Sequence, residues 1–374
     1  MKFHDLKIFD NVPDDWSQFF DFHEDLDYLK REAAKIDFEF ENVVIIGNGG
    51  SITSFNAYSI CTSKNTFIVN SMDPALLRKV KSQCQIDNTV VVAISKSGNT
   101  LGVIEALIDF TGYKIVVVTE GEEGTLRQIA NKMNWQIVEH PNISGRYSGA
   151  TAAGLFPALI AGCKIEEIAN GISAGYKYKK EAWSLAKYYF DLEHKGFVEV
   201  YVSAYSWILS DFRTLIVQLM HESVCKNGRG QTFYFSEAPE CQHHTNQRFF
   251  GGRKNVIGTF ITVKTWHDDK KISVPTEIAD LNLKGLELKK LDDISCQQAL
   301  LAEYHGTKTE ADRLKIPNIT IELPEITNET AGELLSFWQL VAFYSAILRN
   351  VNPFDEPAVT NSKNITIEEI KRIN

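Results

Sequence analysis

Several stretches of this chain place chemically active side chains at informative spacings. Ser95-Lys96-Ser97-Gly98-Asn99-Thr100 gathers three hydroxyls and a cation around a pliable glycine. The apolar run Val90-Val91-Val92-Ala93-Ile94 precedes it, and Leu101, Ile104 and Leu107 follow at helical spacing. A strand, a small polar loop and a helix start together make an anion site. N–H groups at the helix N-terminus point outward, and the helix dipole favours negative charge there. Gly98 lets the backbone come close, while Ser95, Ser97 and Thr100 add donors without bulk. The loop reads equally as a phosphate cradle and as an ordinary strand-to-helix turn with a serine cap. Gly47-Asn48-Gly49-Gly50-Ser51 repeats the arrangement behind Val43-Val44-Ile45-Ile46. It is not the dinucleotide fingerprint G-x-G-x-x-G, because bulky Ile52 occupies the next required position. The acidic residue expected about 20 positions on has no clean counterpart; Ser71-Met72-Asp73 comes nearest.

Further along, Gln218 and Glu222 are four residues apart and share one face of an apolar helical stretch. A carboxylate beside an amide on such a helix is a candidate general base; a glutamate on the solvated face explains the same spacing. Gly145-Arg146-Tyr147-Ser148 is a turn ahead of a helix of small residues, so Arg146 points either into the cleft of the two loops or into solvent. Glu240-Cys241-Gln242-His243-His244 offers adjacent imidazoles. Sequence neighbours point apart and no third ligand stands at a fixed spacing, so proton transfer suits them better than a metal. Asn352–Lys363, with Phe354-Asp355-Glu356 inside it, reads by itself as a turn-rich tail.

The elements that would position these groups alternate. Strands are expected at Val43–Ile46, Val90–Ile94, Tyr113–Thr119 and Trp135–Val138, with helices at Ile52–Ile60, Leu101–Leu107 and Thr125–Met133 between them. Such spacing means parallel βαβ units, with ligands at the carboxyl ends of the strands. Residues 1 to about 40 are polar and acidic, with helical patterning at Glu24–Ile36. Cys163–Lys180 suggests a connecting helix. The chain then restarts with a strand at Phe197–Ser203 and a helical pattern at Trp207–Val224. Strands at Val256–Val263, Leu286–Leu291 and Ile319–Leu323 follow, then an apolar helix at Thr330–Leu348. Two halves that each open with a strand and a polar loop hint at a duplicated unit.

The 374 residues carry 44% hydrophobic and 23% charged side chains, an ordinary globular balance. A formal charge of −9 argues against a nucleic-acid binder, which needs a basic surface. It leaves room for a small anionic ligand held by a local loop. The six scattered cysteines lack metal or disulfide spacing and suit the reduced thiols of a cytoplasmic protein. The N-terminus has no signal-peptide core, and no membrane span or membrane partner is expected.

Taken in order, Gly49-Gly50-Ser51, Ser95-Lys96-Ser97 through Thr100, Gly145-Arg146-Tyr147-Ser148, Gln218-x-x-x-Glu222-Ser223, Gln242-His243 and Phe354-Asp355-Glu356 with Lys363 form a series. That series, over about residues 40 to 365, resembles the signature of the phosphoglucose isomerases, members of the sugar-isomerase (SIS) fold. The resemblance implies an α/β chain of two doubly wound parallel-sheet SIS subdomains. It places an N-terminal helical extension at 1–40, the first subdomain at 41–165, connecting helices at 166–195, the second subdomain at 196–330, and a C-terminal helix with an active-site tail at 331–374. It also implies interconversion of glucose 6-phosphate and fructose 6-phosphate with no metal and no organic cofactor. By position, Ser51, Ser95, Ser97 and Thr100 would hold the phosphate beside Gly50, and Lys96 would line the cleft. Glu222 would move the proton between C2 and C1, Arg146 would stabilise the enediolate, and Gln218 would orient substrate or base. His243 would assist ring opening, with Lys363 helping at the sugar and Glu356 nearby. In this family the histidine comes from a neighbouring subunit, so a homodimer is implied.

Two departures stand out. Ser97-Gly98-Asn99-Thr100 is more similar to bifunctional phosphoglucose/phosphomannose isomerases, which adds mannose 6-phosphate as a second candidate substrate. Glu356 stands where the family usually has glutamine, and it brings an extra charge. A reading from another class is a non-catalytic sugar-phosphate sensor, which needs only the phosphate loops; Glu222, His243 and Lys363 speak against it. Binding to NAD is a more distant alternative. Turnover of fructose 6-phosphate separates the first reading from both others.

Overall fold

The chain begins with a strand where a helical extension is expected: β1 (Lys2–His4) pairs antiparallel with residues 320–322. The helical patterning further on is α1 (Leu26–Ala33), capped by the Asp25 side chain on the Tyr28 N–H. The computed structural model describes residues 1–14, 17–121 and 123–373; Asp15, Trp16, Glu122 and Asn374 lie outside the described residues. Two units emerge, one of Ile8–Phe190, Thr214–Gly230 and Thr327–Asn374, the other of Met1–Lys7, Asp191–Arg213 and Gln231–Ile326. Neither is continuous in sequence, so the boundaries cut across those implied by the resemblance.

In the larger unit, strands and helices alternate as β2 (Asn42–Gly47), α2 (Gly50–Tyr58), β3 (Asn65–Val69), α3 (Pro74–Gln83), β4 (Thr89–Ile94), α4 (Leu101–Asp109), β5 (Lys114–Thr119), α5 (Thr125–Met133) and β6 (Gln136–Glu139). Every residue of β2 and β4 is buried, which is why Val43–Ile46 and Thr89–Val92 within them are unbroken β-branched runs. The sheet is wholly parallel in the order β3-β2-β4-β5-β6. The order reverses between β2 and β4, and in open α/β sheets that switch point is where ligands bind. Val44, Val91 and Val117 pack with Phe110 and Leu126 into one apolar core on this sheet. The unit continues through α6 (Ala152–Ile160), α7 (Ile165–Gly175) and most of α8 (Lys179–Glu193).

The smaller unit takes up β7 (Glu199–Ala204). A 3-10 turn at Ile208–Phe212 then replaces the start of the expected long helix, and α9 (Arg213–Val224) returns the chain to the larger unit. Next come β8 (Thr232–Glu237), α10 (Thr245–Gly251), β9 (Val256–Val263), the short pair β10 (Asn282–Leu283) and β11 (Leu286–Glu287), α11 (Cys296–Arg313) and β12 (Asn318–Leu323). Leu286–Leu291 is not a sheet strand: two residues form an exposed hairpin and Leu288–Leu291 is a 3-10 turn. The sheet order is β1-β12-β9-β7-β8, parallel except for β1. Its parallel part, counted along the chain, repeats the winding of the first sheet. The duplication is therefore carried by topology.

Two helices complete the larger unit. The apolar α12 (Asn328–Leu348) passes the length and composition test for crossing a membrane, yet 89% of its apolar window is buried, as expected of a core helix. The expected tail is a 3-10 turn at Pro357–Val359 and an exposed helix, α13 (Thr360–Ile373).

Candidate active site

The polar loops gather at the switch point of the larger unit. Ser95–Thr100 leaves the end of β4, and the end of β5 clamps it: Ser95 N–H donates to Val118 O at 3.1 Å, and Glu120 N–H to Lys96 O at 3.0 Å. Gly98 has φ +66°, a left-handed turn that an L side chain resists. Its carbonyl accepts from Leu126 N–H at 2.9 Å, and Asn99 Oδ1 accepts from both the N–H and hydroxyl of Thr125. Asn99 thus caps α5 from across the loop. Ser95 and Thr100 hydroxyls pair at 2.9 Å, and exposed Ser97 accepts from the Asn99 N–H at 3.2 Å. Neither α2 nor α4 is capped by its own N-cap side chain. An uncapped helix start beside clustered hydroxyls leaves N–H and O–H donors open to an anion.

The glycine loop fits against its neighbours closely. Asn48 donates to Asn70 O at 2.7 Å, and a Cβ on Gly102 would stand 3.0 Å from Asn48 Oδ1, which places the two loops side by side. A Cβ on Gly50 would lie 2.4 Å from the Arg146 nitrogen, so only glycine lets α2 begin against the Arg146 turn. Ser51 is half-buried just inside that helix.

Arg146 is 2% exposed, and acceptors meet all five of its N–H donors. Nε donates to Ser223 Oγ at 3.0 Å; Nη1 donates to Glu222 Oε2 at 3.2 Å and to Glu356 Oε2 at 2.8 Å. Nη2 donates to the carbonyls of Pro353 and Asp355, both at 2.8 Å. Tyr147 supports Ser223 through its hydroxyl at 3.0 Å, and burial pushes that phenol up to about 12. Gln339 of α12 holds the Arg146 carbonyl at 3.3 Å. Phe354 seats the last segment among Phe19, Tyr147 and Phe343, and Lys226 pairs with Asp355 at 2.9 Å.

Of the residues expected at the site, the structure therefore joins Arg146, Glu222 and Glu356 directly. Gln218, one turn before Glu222, accepts from Thr53 Oγ1 at 3.0 Å and overlies Gly49. Lys96 turns toward Asn142 at 2.9 Å and Glu120 at 3.6 Å. His243 belongs to the smaller unit, exposed on a 3-10 turn beside a cavity of about 430 Å³ that Gln242, Asn246, Glu303 and Thr307 also line. Lys363 lies on exposed α13, with no hydrogen bond or ion pair among the described residues. Of the supporting groups, Asn99 lies within the Ser95–Thr100 motif, while Gln339 and Lys226 carry no local motif. Only Lys226, one turn beyond Glu222, follows a spacing that points back to the site.

Chemically, this is a fixed cation beside a half-exposed carboxylate in the unit that holds the switch-point loops. It can draw a proton from carbon next to a carbonyl while an anionic end is anchored. No family model matches the chain. A glucose-6-phosphate isomerase of Methanocaldococcus jannaschii is 30% identical over 354 residues, covering 89% of this chain and 85% of that protein. A solved hypothetical protein from Thermus thermophilus shares the fold at a TM-score of 0.84 and 22% identity, covering 94% of this chain and 89% of its own. A glucose-6-phosphate isomerase structure from Chlamydia trachomatis aligns at a TM-score of 0.74 and 20% identity, over 93% of this chain and 72% of that one. By the first of these likenesses, the chain belongs to the glucose-6-phosphate isomerase family.

Proposed function

We propose that the chain interconverts glucose 6-phosphate and fructose 6-phosphate by moving a proton between C2 and C1 through a cis-enediolate. The observation that carries this reading is the 3.2 Å pairing of Glu222 with buried Arg146 in the unit that also holds the loops of the switch point. The phosphate, held by Ser51, Ser95, Ser97 and Thr100, supplies remote binding energy that positions the reacting carbons. Glu222 takes the carbon-bound proton. As it does so it loses its charge, and its hold on Arg146 weakens just as negative charge appears on the sugar oxygen. The guanidinium exchanges one anionic partner for another at the transition state.

Gln218 steadies the base, His243 opens the sugar ring, and Lys363 assists at the sugar. In this reading the chain works as a homodimer in which exposed His243 serves the partner's site; the mass of the protein in solution tests that assembly.

The decisive assay mixes the purified protein with fructose 6-phosphate and EDTA and measures glucose 6-phosphate. Glu222→Gln is expected to lower the rate by roughly 10²–10⁴-fold. A folded variant as fast as the wild type would remove Glu222 from its role, and a wild type without turnover would leave the sensor reading. Mannose 6-phosphate assayed alongside decides the second substrate.

A further inference from the structure

Thr214, Gln218 and Glu222 follow one another at four-residue intervals and so share one face of α9. The first two are met by α2. Asn56 Nδ2 donates to Thr214 Oγ1 at 2.9 Å, and Thr53 Oγ1 donates to Gln218 Oε1 at 3.0 Å. Residue numbers fall along α2 as they rise along α9, so these rungs climb toward the start of α2. There α2 opens with Gly50, and the third rung passes to Arg146. Its Nη1 meets Glu222 at 3.2 Å, and a Cβ on Gly50 would lie 2.4 Å from its backbone nitrogen. All of these residues belong to the larger unit.

The second rung settles something the first does not. Thr53 is 4% exposed within α2. A threonine in a helix can turn its hydroxyl back to the carbonyl four residues earlier. Here that carbonyl, Gly49 O, already accepts from the N–H groups of Ile52 and Thr53, and the hydroxyl reaches across to Gln218 instead. A glutamine amide has two orientations of similar shape that exchange its acceptor oxygen with its donor nitrogen. With Oε1 committed to Thr53, Nε2 is turned the other way. It stands 3.2 Å from where a Cβ on Gly49 would be, over a helix start that has no side-chain cap. It is one turn from Glu222 and has no acceptor among the described residues. The reversed amide would turn an oxygen toward ionised Glu222 and toward the charge that forms on the sugar, and would repel both.

We propose that Thr53 is a positioning residue: its hydroxyl locks the Gln218 amide so that only N–H donors face the reacting centre. That polarity steadies the carboxylate of Glu222 before the proton moves and the enediolate oxygen after it. This rests on the isomerase reading. Thr53 touches no reacting atom and acts through Gln218. Because the donor follows charge that moves during the reaction, its loss falls on kcat, while the phosphate end continues to set KM.

The test measures kcat and KM for fructose 6-phosphate, and the urea midpoint, in the full-length protein. Thr53→Val and Thr53→Ala lose the hydroxyl with and without its volume. Both are expected to lower kcat about tenfold with KM within about twofold of wild type. Thr53→Ser keeps the hydroxyl and is expected to recover most of kcat. Gln218→Met has no amide to orient, so adding Thr53→Val to it is expected to change kcat by less than about twofold. Asn56→Ala breaks the neighbouring rung and is expected to keep kcat within about threefold, whatever it does to the midpoint. The proposal is overturned if a folded Thr53→Val or Thr53→Ala turns over at the wild-type rate, or if Thr53→Ser is as slow as they are. It is also overturned if Thr53→Val slows Gln218→Met as much as it slows wild type, or if Asn56→Ala loses kcat as heavily, since either result makes the rung a strut. Wild-type protein that makes no glucose 6-phosphate overturns the isomerase reading itself, and the role of Thr53 with it.

Discussion

Arg146 donates from Nη1 to Glu222 at 3.2 Å from a position that is 2% exposed, so the candidate base and the candidate electrophile fix one another. A lysine in place of Arg146 keeps the charge but has no planar fork to meet Ser223, two carboxylates and two carbonyls together. Arg146→Lys is therefore expected to lower kcat about 10²–10³-fold, in the range found for losing an oxyanion donor, with KM moving far less. Carbonyls of Pro353 and Asp355 lose their partner as well, at a cost of about 1–3 kcal/mol seen as a lower urea midpoint. A reduced midpoint with unchanged kcat would make Arg146 a structural strut and nothing more.

The contact between Gly50 and the Arg146 turn gives a second test. A Cβ there would meet two backbone atoms, Arg146 N at 2.4 Å and Gly145 C at 2.5 Å, and neither can rotate away. Gly50→Ala is expected to cost about 1–3 kcal/mol as overpacking and to move Arg146, where a misplacement of about 1 Å costs on the order of 10²-fold in rate. Gly306 is the control: it lies within α11, and a Cβ there meets nothing within 4 Å. Gly306→Ala should stabilise by about 0.5–1 kcal/mol. If Gly50→Ala matched wild type in both midpoint and kcat, the loops would not be coupled through this contact.

What the sequence made legible follows from how much each residue says locally. Val43–Ile46 and Val90–Ile94 are buried on both faces and announce themselves as unbroken apolar runs. Edge strands such as β3 and β8 are partly exposed, and their mixed Asn-Thr and Ser-Glu ends hide them. β1 is three residues whose only signal is a partner over 300 positions away. Leu286–Leu291 misleads because leucines in an exposed hairpin and turn mimic alternation. The site divides likewise. Arg146, Glu222 and Glu356 are visible as motif residues. That one guanidinium joins all three, with Gln339 and Phe354 behind it, depends on tertiary packing alone.

Beneath the Lys96 loop, His140 gives a pH signature. Its Nδ1 donates to Pro141 O at 2.6 Å, while buried Nε2 has no partner among the described residues. Burial, helped by Lys96, lowers its pKa from 6.5 to about 4. The unfolded chain therefore binds the proton first as pH falls, so stability is full above about 6.5 and is lost down to about 4. The loss is on the order of 3 kcal/mol. In His140→Asn the amide nitrogen can replace Nδ1, and that variant should lack this part of the decline. Urea midpoints at pH 7.5, 6, 5 and 4 measure it; parallel declines in both proteins would show that His140 does not set the slope.

The Ser95–Thr100 loop separates the cradle from an ordinary turn by function. Ser97 is exposed, and among the described residues its hydroxyl accepts only the neighbouring Asn99 N–H, so its loss leaves the fold in place. Hydrogen bonds to charged groups contribute about 1.5–3 kcal/mol. Ser97→Ala is accordingly expected to raise KM for fructose 6-phosphate tenfold or more, by the factor of ~10 that each ~1.4 kcal/mol represents, with kcat nearly unchanged. Thr100→Val removes the partner of buried Ser95 and should add a stability loss of about 1–3 kcal/mol to the same KM effect. Inorganic phosphate should compete with substrate in the wild type and compete less well in both variants. If KM and phosphate inhibition stayed the same in both, the hydroxyls would be caps and turn bonds only, and the anionic end of the substrate would have to be held elsewhere.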